Sequence, residues 1–141
     1  MRKQLARLFV AASIVIASLA VAPIGCQPPP ALSQQNTDQV ILRAEQTAQT
    51  ARLTFDTFVH LERDNEALLK QVNPAIHDYA NTIRRHGLDW VDSLRTATKT
   101  FKANRTPENQ SNLNTWLTTL TNAVQQTNKY IAQSKSAVGN P

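Results

Sequence analysis

The sequence predicts an all-α fold: an antiparallel up-down-up three-helix bundle after a signal peptide and a Pro-rich linker. Three observations carry this. Apolar residues recur at alternating three- and four-residue steps along three long stretches, the spacing of one helical face. Breaks at Asn73-Pro74 and Asn104-Arg105-Thr106-Pro107 separate those stretches. No stretch shows the period-two alternation of a half-buried strand.

The first helix is expected to be capped by Thr37 or Asp38. Its stripe is Ile41, Ala44, Ala48, Ala51, Phe55, Phe58, Glu62, Asn65, Leu69 and Val72, with Leu61 and Leu68 widening it. Asn73-Pro74 ends it, because the residue before a proline avoids the helical region. Pro74 suits the first turn of a second helix, whose stripe is Ile76, Ala80, Ile83, Gly87, Trp90, Leu94, Ala97 and Phe101. His86-Gly87-Leu88-Asp89 could stop one helix and cap another, but the stripe stays in phase across Gly87, which favours one continuous helix, straight or bent, with the glycine used for close approach opposite a large side chain.

Thr106 caps the third helix, Pro107 takes its first position and Glu108 complements its dipole. Its stripe is Leu113, Leu117, Leu120, Val124, Thr127, Ile131 and Ser134, with Trp116, Ala123 and Tyr130 alongside. Each rod is about 45–50 Å long at 1.5 Å per residue, and short connections make neighbours antiparallel. The predicted segments are 1–25 signal peptide, 26–36 linker and 37–138 bundle. This hairpin register sets Glu62 level with Arg84, and a carboxylate in the seam needs a partner, so the two are predicted to pair.

Residues 1–25 carry the marks of an export signal. Arg2, Lys3 and Arg7 form a basic start, and an uncharged run of 18 residues follows from Leu8 to Gly25. Cys26, the only cysteine, stands directly after it. Ile24-Gly25-Cys26 resembles the lipobox of bacterial lipoproteins, with Pro23 where that family usually has leucine. The resemblance implies removal of residues 1–25 and acylation of Cys26, with palmitate or a similar chain as its membrane contact. Gln27, rather than aspartate, after the cysteine implies outer-membrane sorting where the host has one. A lone cysteine cannot close an internal disulfide, so stability must come from packing. Pro28-Pro29-Pro30 makes residues 26–36 a stiff spacer.

The whole chain has a net charge of +5. Without the leader, twelve Lys and Arg face ten Asp and Glu, a net of only +2. That weakens a nucleic-acid reading, which needs a dense basic face. Arg84-Arg85-His86 and Lys99, Lys102 and Arg105 form a modest basic strip suited to lipid headgroups or an acidic partner.

No catalytic residue, cofactor site or metal site is expected. His60 and His86 fall at similar heights with Asp64 near His60, but His60 projects away from the stripe and His77 lies too far from both for a shared ion. No nucleophile motif accompanies the histidines, and no glycine-rich phosphate loop exists. Glu62-Arg63-Asp64-Asn65-Glu66 reads as a solvated charged run. The aromatics Phe55, Phe58, Trp90, Phe101 and Trp116 read as core. The expected role is therefore non-enzymatic: a membrane-anchored, extracytoplasmic helical protein that binds an envelope protein or serves structurally. An apolar ligand or lipid held between the helices is the alternative, favoured by a pocket near Phe58, Ile83 and Trp90.

Overall fold

A computed structural model describes residues 34–139 of the chain, with side chains from residue 36 onward. Cys26, the leader and most of the linker lie outside the described residues. Four helices pack together: α1 (Gln34–Asp64), α2 (Glu66–Val72), α3 (Pro74–Ala103) and α4 (Pro107–Val138). No strand occurs among the described residues.

The count of helices corrects the three predicted from the stripes. The first predicted rod is two helices jointed at Asn65. There the backbone leaves the helical region, with φ −126° and ψ 22°. The Asn65 N–H donates to Glu62 O, three residues back, at 3.2 Å. Its side-chain Nδ2 donates to Leu61 O at 2.9 Å, taking the place that its backbone N–H would fill in a continuous helix. Asparagine has this option because its short amide competes with the backbone for local partners. Leu69 N–H then bonds Asn65 O at 2.9 Å and the chain resumes as α2. Beyond the joint Leu69 is buried, while Val72 is 58% exposed and leaves the stripe.

The start of α1 is also corrected. It begins at Gln34, inside the predicted linker, so Thr37 is a helix-interior position and not a cap. Thr37 is buried, because it precedes Ile41 by four residues and Ala44 by seven and so continues the same seam. The α4 start agrees with expectation: Thr106 is the cap, its Oγ1 accepting from Asn109 N–H at 3.2 Å, and Pro107 follows.

One core runs through the four helices. Phe58, Leu69, Ile76, Leu94, Phe101, Leu113 and Leu120 are its largest fully buried apolar members. In α3 the buried row passes through Val91 and Thr98, and Trp90 is only half-buried beside it. Thr98 enters the core at little cost, since its hydroxyl donates to Leu94 O at 2.7 Å. α3 is continuous across Gly87, as predicted. A Cβ there would meet Phe55 Cδ2 at 3.1 Å and Ile83 Cγ2 at 3.2 Å, so the missing side chain lets Phe55 lie against the helix. The Phe55 ring meets Trp90 edge-on, with centroids 6.3 Å apart. No described helix is long and apolar enough to cross a membrane.

Candidate functional site

Two arrangements on the α1/α3 side combine chemistry with accessibility. The first is a closed ring of polar side chains at the α1/α2 joint. Glu62, in the last turn of α1, is fully buried. His77, Asn81 and Arg84 stand four and three residues apart on α3, one face of the helix. His77 Nδ1 lies 2.6 Å from Glu62 Oε1 and donates to it. His77 Nε2 accepts from Asn81 Nδ2 at 3.1 Å. Asn81 Oδ1 accepts from Arg84 Nη1 at 2.8 Å, and Arg84 Nη2 closes the ring on Glu62 Oε2.

Glu62 and Arg84 thus pair, as the hairpin register predicts. Sequence reasoning set His77 aside and read Glu62 and Glu66 within a solvated charged run, whereas the structure brings the three together. Glu62, Glu66 and His77 each offer a ligand atom within 4.8 Å of the others, the one such group of metal-type donors among the described residues. Its charges are already matched. Arg84 binds Glu62, and Lys70 Nζ lies 2.6 Å from Glu66 Oε1. That hydrogen bond to Lys70, and its charge, hold the Glu66 carboxyl below the usual carboxylate range. An incoming dication would have to displace or repel both cations, so the arrangement is built as a lock between α1, α2 and α3. Of the three histidines considered from sequence, His77 enters this site and the other two do not. His60 is exposed and bonds its own turn at Asp56 O, 2.9 Å away. His86 stacks on Trp90, with centroids 6.2 Å apart.

The second arrangement is a groove along the α1/α3 seam made of two depressions that share no lining residue. Near the lock it is about 440 Å³, floored by Phe55, Ile83 and Gly87 and walled by Arg52, Leu53, Asp56, Val59, Arg84 and Leu88. Farther along it is about 400 Å³ and floored by Ala44, Ala48 and Thr98, with Glu45, Gln49, Arg95, Lys99 and Lys102 as walls. Leu53 is 71% exposed and Leu88 66%, the two most exposed large apolar side chains described. The predicted basic strip is divided by the packing: Arg84, Lys99 and Lys102 line this groove, whereas Arg85 and His86 do not. Arg105 reaches the start of α1 and pairs with Asp38 at 2.9 Å.

A third cluster is structural. Phe58, Tyr79 and Tyr130 pack as a trio, with the tyrosine rings 4.9 Å apart. Tyr79 donates to Ala123 O at 3.1 Å, and burial pushes its phenol above the usual tyrosine value.

No protein-family model, curated protein or solved structure matches the chain.

Proposed function

We propose that the chain is a lipid-anchored, extracytoplasmic helical protein that acts by binding another protein at the cell envelope. Acylated Cys26 is the anchor, the residues between it and α1 are the spacer, and the long rods α1, α3 and α4 in up-down-up order form the binding body. The observation that carries the reading is the α1/α3 groove. It leaves Leu53 and Leu88 in water on facing walls, where exposed apolar surface rimmed by polar groups favours protein contact. The interior supports the same reading over an apolar ligand between the helices. Phe58, Leu94 and Phe101 fill the seams with no exposed surface, and Ile83 is nearly as buried.

The test uses the full chain in its native cells, beside Cys26→Ser. Radiolabelled palmitate is expected in the parent protein and absent from the variant, and the parent is expected in the membrane fraction. A bifunctional amine crosslinker is expected to give one discrete protein adduct with the parent. A Cys26→Ser chain that still sediments with membranes would overturn the anchor. A parent chain that yields no protein adduct would overturn the binding role.

A further inference from the structure

The α1/α3 seam is tied at both ends and open between. Lys102 pairs with Glu45 at one end and Arg84 with Glu62 at the other. Among the described residues no ion pair crosses the seam between these ties. The two ties stand 17 residues apart along α1, about 25 Å at 1.5 Å per residue, the length of a helix of about four to five turns. At the end away from the lock the floor is formed by the small side chains Ala44 and Ala48, which lets an incoming backbone come close.

The walls specify charge as well as shape. Arg52 on α1 and Lys99 on α3 have no carboxylate partner among the described residues, and Arg95 reaches Asp92 only at 3.4 Å. These three cations flank the middle of the groove, while Leu53, Val59 and Leu88 give its lock end an apolar lining. We infer that the groove seats one amphipathic helix of a partner protein, its apolar face on Leu53, Val59 and Leu88 and its carboxylates against Arg52, Arg95 and Lys99. Helix-in-groove docking of this kind reads i, i+3, i+4, i+7 anchors and would add one more rod to the bundle. A second copy of the chain is a poor occupant. Its own groove repeats the same cations, and the 20 residues of α4 from Asn109 to Asn128 contain no carboxylate to offer them.

This inference rests on the protein-binding role and is tested separately from it. A photo-crosslinking phenylalanine is placed in the full chain at Gln49 or Asp56, both in the groove, or at Thr115 on the exposed face of α4. Each chain is irradiated in its native cells, and the crosslinked peptide is sequenced. Adducts are expected at Gln49 and Asp56 with one segment of about 16 residues, apolar at helical spacing and net negative, and none at Thr115. Adding Arg52→Glu and Lys99→Glu is expected to cut the groove adducts about tenfold, with an unchanged helical circular dichroism spectrum. Adducts with a second copy, with lipid, or with a neutral or basic segment would overturn the inference. Protein adducts at Thr115 alone would overturn the groove and leave the binding role intact. Protein adducts at none of the three positions would remove both.

Discussion

Glu62 and Arg84 share one ion pair but not one environment. Glu62 has no exposed surface, whereas 28% of the Arg84 side chain meets water. Removing either partner therefore has unequal consequences. Arg84→Met leaves a buried carboxylate with His77 as its remaining partner in the ring, and is expected to cost about 3 kcal/mol. Glu62→Gln leaves a cation that water can reach and keeps an amide for hydrogen bonding, so about 1–2 kcal/mol is expected. The double variant Glu62→Leu with Arg84→Met should be more stable than Arg84→Met alone, because no unpaired charge stays inside. Urea denaturation of the three chains checks the order, and an equal loss for both single variants would contradict the unequal burial. Tyr79 gives a pH signature. Its phenol is raised in the folded state, so the neutral form is the one that folding favours. Its contribution is whole below the unfolded tyrosine value near 10 and is lost as pH rises through the folded value. Tyr79→Phe should remove that alkaline component of the stability curve. It should also lower stability near neutral pH by about 1 kcal/mol through the lost bond to Ala123 O.

At the scale of the element, Gly87 balances two opposed effects. Alanine there gains roughly 1 kcal/mol in helix propensity. It also brings a methyl to within 3.1 Å of Phe55 and 3.2 Å of Ile83, so both side chains must give by a few tenths of an ångström. Phe55 borders the open groove and has room to move. Gly87→Ala is thus expected within about 1 kcal/mol of the parent in thermal denaturation, while Gly87→Val, with two more methyls on the same contact, should lose about 2 kcal/mol or more. A strongly destabilised alanine variant would mean that the groove wall is rigid. The continuity of α3 here is legible in the sequence, because the stripe keeps its phase across the glycine. The Asn65 joint is not legible by the same logic. Asn65 is itself in phase with Phe58, Glu62 and Leu69, so the pattern reads through it, and the break comes from an amide competing for the Leu61 carbonyl. Glu62–Arg84 follows from a straight hairpin register, but His77 and Glu66 do not, since their meeting depends on the break that the register omits. The signal available was the spacing of His77, Asn81 and Arg84 along one face of α3. Leu53 and Leu88 are visible as off-stripe leucines, yet only packing decides that they face one groove.

Across the whole molecule the core changes character from end to end. Near the α3–α4 connection it is mostly apolar, with Ala44, Ala48, Leu94, Phe101, Leu113, Leu117 and Leu120 around the buried threonines Thr37 and Thr98. Toward the α1/α2 joint the buried set takes in Glu62, Thr127 and Ser134, the two hydroxyls donating to their own helix at Ala123 O and Tyr130 O. Burying hydroxyls already bonded to their own turn returns less free energy than burying leucine, and the joint interrupts the backbone ladder of the first rod. The exposed residues Leu68, Val72 and Val138 belong to segments near this end as well. The two ends are therefore expected to open at different free energies. In native-state hydrogen exchange, the amides of α2 and of 131–138 should exchange through partial openings about 2 kcal/mol or more below global unfolding. Amides of 94–101 and 113–120 should exchange only when the whole bundle unfolds. Low urea should leave the first group's exchange unchanged while accelerating the second, because small openings expose little surface. If both groups merge into one exchange isotherm in water, the polar ring and its hydroxyl neighbours bind their end as firmly as the leucines bind the other. The ring would then act as the main fastening of the joint and not as a soft boundary beside it.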